Sequence, residues 1–223
     1  MKIIEAYNNK LSEVYDEATS NGKWSAPNEA RKILLDHKLI KSNLVILDLG
    51  IGTGQTIKPF VKKNCKIFGV DISEKMLGIV KNKYPEVEIF KYDFSNGLGG
   101  LNFQDQNFDI IISVGVLEFI KNIKKIIKET YQLLKDGGYF IFTYEMLLED
   151  NKFQSLKVQD NSMDYKESSL KIEKFKLYRR SREEIAEMLK EAGYGIVKHS
   201  KITAYLKGQD KVPVYYGVVL IKK

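Results

Sequence analysis

Two histidines, one cysteine, one tryptophan and four prolines in 223 residues narrow the chemistry of this chain before any motif is read. The lone Cys65 cannot form an internal disulfide, and it fits a reducing compartment. His37 falls in an expected helix and His199 in an expected strand, so neither a Ser-His-Asp set nor a histidine-rich metal centre can be assembled. No metal site is expected. No apolar run approaches the ~20 residues of a membrane span. Met1-Lys2-Ile3-Ile4-Glu5 lacks the apolar core and small-residue cleavage site of a secretory signal, which makes the expected location cytoplasmic and membrane partners unexpected. Internal repeats and low-complexity tracts are missing as well.

What is present describes an ordinary globular chain, 43% hydrophobic and 29% charged, long enough for one well-buried domain over residues 1–223. The most informative stretch is Val45-Ile46-Leu47-Asp48-Leu49-Gly50-Ile51-Gly52-Thr53-Gly54. An apolar run suited to a central strand of a parallel sheet ends in an acid, and glycines then occupy alternate positions. Such glycines admit backbone conformations closed to other residues and let a ligand approach the main chain. A dinucleotide fingerprint would need its third glycine at position 55, which is Gln, and a phosphate-binding loop would need a lysine where the chain reads Gly54-Gln55-Thr56. The turn therefore suits a ligand with a sugar and a base but no pyrophosphate. Thr56 to Lys62 reads as a helix that Pro59 restricts to a start near Ile57.

Asp48-x-Gly50-x-Gly52-x-Gly54 resembles the first motif of class I S-adenosylmethionine-dependent methyltransferases, and four later segments are similar to that family in the right order. A strand over Lys66–Val70 ends in Asp71-Ile72-Ser73-Glu74-Lys75-Met76-Leu77; one over Val87–Tyr92 ends in Asp93-Phe94. Phe108–Ser113 runs into Val114-Gly115-Val116-Leu117-Glu118-Phe119, where many relatives have His in place of Phe119, and Leu133 to Phe140 looks like the turn ahead of strand five. The resemblance implies a Rossmann-like α/β fold: a seven-stranded, mostly parallel sheet with helices on both faces and an antiparallel C-terminal edge strand. It implies S-adenosyl-L-methionine as cofactor. Asp48, Gly50, Gly52, Gly54, Gln55 and Thr56 would form the turn around it, Asp71 would take the ribose hydroxyls, and Ile72 and Met76 would lie against adenine. Asp93 would hold the adenine amine, Phe94 would stack on its ring, and Ser113 and Val114 would close the edge. The N-terminal helices within 1–40 would fold over the cofactor as a lid carrying Tyr15 and Trp24, and residues 145–178 would be an insertion on the substrate side.

Methyl transfer from a sulfonium asks mainly for alignment and exclusion of water, which agrees with the shortage of catalytic side chains. If the acceptor must lose a proton, Glu118 and Glu145 are the candidate bases. The chain has neither the Asn/Asp-Pro-Pro-aromatic run of base-amine methylation nor a cysteine near strand four for pyrimidine carbon, so a small-molecule acceptor at O, N or C is expected. Net charge of +7 and the basic stretch from Lys166 to Arg182 offer RNA or protein as the alternative acceptor. A non-catalytic cofactor-binding subunit is a further alternative. Oligomeric state is left open.

Helical spacing predicts one helix from Ile3 to Ala18, a second over about 28–37, and a long amphipathic helix from Ile123 to Leu134 stopped by Gly137-Gly138. Ser73 reads as a helix N-cap. Ser181-Arg182-Glu183-Glu184 reads as a capping box ahead of a helix ending at Gly193, followed by paired strands near 195–203 and 213–221.

Overall fold

The computed structural model describes residues 2–103, 107–155 and 175–223, with the main chain of 162–165. Strands β1 (Val45–Leu49), β2 (Lys66–Asp71), β3 (Glu88–Lys91), β4 (Phe108–Ser113) and β5 (Leu134–Glu145) run parallel. Two short strands, β6 (Ser162–Tyr165) and β7 (Phe175–Tyr178), form a separate antiparallel pair. The long strands β8 (Gly195–Lys207) and β9 (Val212–Lys222) complete the main sheet, whose seven strands stand in the order β3-β2-β1-β4-β5-β9-β8. β9 is antiparallel to β5, and β8 forms the edge beyond it.

Alternation along the strands makes two cores. Leu47 and Leu49, Phe140 and Phe142, and Val219 and Ile221 face one layer with Ile123, Ile126 and Ile127 of α6 (Ile123–Leu133) and Ile185 and Leu189 of α7 (Arg182–Ala192). Ile46, Ile110, Ile141, Val218 and Leu220 face the other, covered by α3 (Ala26–Asp36), α4 (Lys58–Val61) and α5 (Glu74–Lys83) through Ala30, Leu34, Phe60, Leu77 and Val80. Burying each of these larger aliphatic chains contributes roughly 2 kcal/mol before entropy is subtracted, so the two-sided sheet is where the stability resides.

Local signals are realised where the sequence places them. Ser73 Oγ accepts from the Met76 amide, and both bonds of the Ser181/Glu184 capping box form, with Gly193 left-handed at the end of α7. α4 begins at Lys58 with Pro59 in its first turn. Lys124, Lys125 and Lys128 are exposed opposite the apolar stripe of α6, and Lys121, two residues before the helix, is exposed as well.

Three expectations need correction. The first helix is two, α1 (Lys2–Leu11) and α2 (Tyr15–Ser20), broken where Ser12 Oγ donates to the Asn9 carbonyl at 2.8 Å and competes with the helical ladder. α6 ends at Leu133 because Leu134 is already extended, and Gly137-Gly138 lie inside β5 as it pairs with β4 and β9 rather than at the helix stop. Glu145 is the last residue of β5, opposite Tyr216, so the insertion begins after it. Of the basic stretch, Lys166, Lys171 and Lys174 lie outside the described residues. Among the described residues, no helix is long and apolar enough to cross a membrane.

Candidate functional site

The carboxyl ends of β1, β2 and β4 open onto one rim. Gly50, Gly52 and Gly54 all take positive φ, at 80°, 54° and 79°. A Cβ on Gly50 would sit 2.1 Å from Val116 Cγ2, so bulk there would push the loop after β4 away. The amides of Gly50 and Ile51 donate to the Val70 carbonyl at 2.7 and 3.0 Å, which folds the turn back over β2. Asp71, 6% exposed at the end of β2, then fixes it: Oδ2 accepts from the Gly52 amide at 2.9 Å and Oδ1 from the Ser73 amide at 2.8 Å. Burial raises the Asp71 pKa, against the lowering effect of the amides of Ser73, Gly52 and Ile72. Burial, then the Asp71 carboxylate, push Asp48 well above the usual carboxylate range.

Above this rim lies a first chamber of about 620 Å³, counting its open mouth. Of the expected cofactor residues, Tyr15, Gly50, Gly52, Asp71 and Ile72 line it, as do Met76, Asp93, Phe94 and Val114. Phe94 is buried, and Asp93 Oδ1 accepts from the Ser95 amide at 3.0 Å. Tyr92 and Gly115, which stand in the family-like segments but were not among the expected cofactor residues, belong to the lining too, as does Asn8, of which the sequence gave no sign. Among the described lining residues there is no lysine or arginine to offer a pyrophosphate a countercharge.

The other expected residues are placed elsewhere. Asp48 is enclosed within β1, 2% exposed, and is not in the chamber wall. Gly54, Gln55 and Thr56 turn away from the chamber, because Gln55 Nε2 donates to Asp16 Oδ1 at 2.6 Å while its carbonyl accepts from Arg31. Ser113 is fully buried with Oγ donating to the Leu49 carbonyl at 3.0 Å, a bond that ties β4 to β1. Trp24 lines a second chamber instead of the first, its Nε1 donating to the Tyr15 hydroxyl at 2.9 Å.

Asp16 escaped notice in the sequence because nothing local marks it. It accepts from Thr53 Oγ1 at 2.6 Å, from Gln55 and from Lys83, so α2 is latched to the glycine turn. Burial alone would raise its pKa, but the bonds from Lys83, Thr53 and Gln55 outweigh that and leave it lowered. Asp16→Ala is expected to speed amide exchange over residues 14–20 by about tenfold while the melting temperature moves by less than about 3 °C. Hydrogen exchange followed by mass spectrometry checks this; unchanged exchange would show that the latch carries no load.

The second chamber, about 960 Å³ counting its mouth, lies between α1, α2, β7 and the ends of β8 and β9. Its walls are apolar and aromatic, with Tyr7, Leu11, Phe175 and Leu177 on one side and Trp24, Tyr205 and Tyr216 on the other. The two chambers share Asn8, Tyr15, Gly115 and Phe119. Phe119 packs against Tyr7 and Phe175 at ring-centroid distances of 6.2 and 5.8 Å.

The two candidate bases have different surroundings. Glu118, in the 3-10 turn Leu117–Phe119, lines the second chamber. Glu145 lines neither chamber; its Oε1 accepts from Arg179 Nε at 2.6 Å in a buried ion pair. Arg179 and Arg180, which the basic stretch offered to a nucleic acid, are 2% and 5% exposed, Arg180 donating to the carbonyls of Leu117, Ile120, Lys121 and Tyr178. His199 meets the Tyr144 hydroxyl at 2.8 Å, and burial, then Arg182, lower its pKa to about 4.

A sheet in this order, with a glycine turn and an acid at the ends of adjacent strands beside a chamber, is the Rossmann-like fold of the methyltransferases. Residues 47–142 match the model of the methyltransferase domain. An uncharacterized protein of Methanocaldococcus jannaschii is 34% identical over 175 residues, spanning 77% of this chain and 75% of its own length. The ubiquinone/menaquinone biosynthesis C-methyltransferase UbiE of Campylobacter jejuni is 31% identical over 147 residues, which cover 61% of this chain and 60% of that protein. A methyltransferase of Methanosarcina mazei has the same fold, with a TM-score of 0.70 at 17% identity over 85% of this chain and 96% of its own. The chain belongs to the class I S-adenosylmethionine-dependent methyltransferases, and S-adenosylmethionine is its cofactor.

Proposed function

We propose that this chain methylates a small, largely apolar or aromatic molecule held in the second chamber, with the cofactor in the first. The observation that carries the reading is the common wall of Asn8, Tyr15, Gly115 and Phe119, which puts the occupants of the two chambers next to each other. Asp71 would hold the ribose hydroxyls, Ile72, Met76 and Phe94 the adenine faces, Asp93 the adenine edge, and Gly50 and Gly52 the close-approaching tail. Bound there, the cofactor supplies an electrophilic methyl group on a sulfonium. The chain's part is alignment and exclusion of water: Tyr15 of α2 lines both chambers, and Trp24, hydrogen-bonded to it from the loop after α2, lines the second.

Support for a small acceptor rather than RNA or protein comes from the basic stretch, two of whose arginines are enclosed in the interior, and from the relative named for quinone biosynthesis. The test is transfer of labelled methyl from the donor into fractionated cell extract. Label in the small-molecule fraction, with quenching of Trp24 fluorescence by that fraction, is the expected result. Label confined to RNA or protein would overturn the reading.

A further inference from the structure

Among the described lining residues one acid stands between the aromatic walls of the second chamber, and half of its bonding capacity is unused. Glu118 is 3% exposed; its Oε1 accepts from the Tyr216 hydroxyl at 3.0 Å, and its Oε2 is buried without a hydrogen-bond partner. Beside it the rings of Trp24, Tyr205 and Tyr216 cluster with centroids 5.3 to 6.3 Å apart. Aromatic faces carry the negative end of the ring quadrupole and attract cations. Lys23, exposed at the rim, is the one cation among the described lining residues. The interior of the chamber is therefore built for a positive charge, and an anion would meet both the carboxyl group and the ring faces.

We propose that the second chamber selects a protonated amine as the methyl acceptor, with Glu118 Oε2 pairing with the ammonium and taking its proton. This rests on the reading of that chamber as the acceptor site. The N–H bond breaks, its electron pair stays on nitrogen as the lone pair needed for attack, and the proton forms an O–H bond on Oε2. Without that step the acceptor would be a cation with no lone pair, facing a second cation.

The surroundings of Glu118 suit it to the transfer. Burial is the largest influence and pushes it up to about 8; the Glu145 carboxylate on β5 adds to this, while its own backbone amide, the Tyr216 hydroxyl on β9 and the Arg180 guanidinium oppose it. An alkylammonium loses its proton near pH 10, as a lysine side chain does, so donor and base are separated by only about two units and the transfer is nearly balanced.

The test is calorimetry on the protein saturated with S-adenosylhomocysteine, using phenethylamine, 2-phenylethanol and phenylacetate, which differ chiefly in the charge of the end group. The amine should bind at least about tenfold more tightly than the alcohol at pH 8.5, and phenylacetate more weakly than either. Because the ammonium pairs with the carboxylate form, amine affinity should fall by about tenfold per unit as pH drops below 8. Glu118→Gln should bring the amine down to the alcohol's affinity and flatten the pH profile, with S-adenosylhomocysteine affinity and melting temperature unchanged. Alcohol binding equal to amine, tighter phenylacetate, no binding by any of the three, or a pH profile that survives Glu118→Gln would each overturn the amine assignment. Label transfer into the small-molecule fraction judges the acceptor-site reading separately.

Discussion

Asp71→Ala is expected to lower the affinity for S-adenosylhomocysteine by at least about a hundredfold while the chain stays folded. Each Asp71 oxygen already accepts one backbone amide, from Gly52 or Ser73, and so is held with its remaining lone pair in the chamber wall. Two ribose hydroxyls donating to a fixed carboxylate are charge-assisted bonds worth roughly 1.5–3 kcal/mol each, and every 1.4 kcal/mol is tenfold in affinity. The variant also loses two bonds that shape the glycine turn, but it removes a carboxylate that crowds Asp48, so the melting temperature should move by less than about 5 °C. A pH series adds a second check. Because the Asp71 pKa is raised, the carboxyl group takes its proton at a higher pH than an ordinary aspartate, and the protonated form accepts one bond fewer. Wild-type affinity should decline as pH falls through the acidic range, and that decline should vanish in Asp71→Ala. Calorimetric affinities within threefold of each other would place the ribose elsewhere.

The second large effect concerns Arg180. Its guanidinium is buried and gathers the carbonyls of Leu117, Ile120, Lys121 and Tyr178, so one side chain joins the segment after β7 to the turn that carries Glu118. Burial lowers its pKa to about 10, yet it remains charged at neutral pH. Arg180→Ala leaves those carbonyls without donors in a site too enclosed for water to replace them freely. A loss of about 3–4 kcal/mol follows, or roughly 10 °C in melting temperature for a chain of this size. Arg180→Lys keeps the charge but not the planar fork, and should recover less than half of the loss. Differential scanning calorimetry decides it. A shift under about 2 °C for the alanine variant would mean that the carbonyls find other partners.

What the sequence made legible were features whose cause is local. Glycines at alternate positions, an acid after a buried strand, a serine three residues before a glutamate: each works through the main chain within a few residues, and each is found where expected. What was hidden depends on residues far apart. Gln55 and Thr56 sit in the family motif but turn from the chamber because Asp16, 39 residues before Gln55, holds that side of the turn. Glu118 and Glu145 look alike in sequence as acids after strands; only the fold puts Arg179 on one and an aromatic enclosure around the other. The second chamber draws on residues from Tyr7 to Tyr216, and no window of sequence contains enough of it to be recognised.

The wall that the two chambers have in common, Asn8, Tyr15, Gly115 and Phe119, makes each guest part of the other's container. Thermodynamic reciprocity then constrains the catalytic cycle: whatever factor one guest adds to the other's hold is returned in equal measure. On the proposed reading, an acceptor that steadies Tyr15 and Phe119 would tighten the hold on the donor, and loss of the methylated product would weaken the hold on the spent nucleoside.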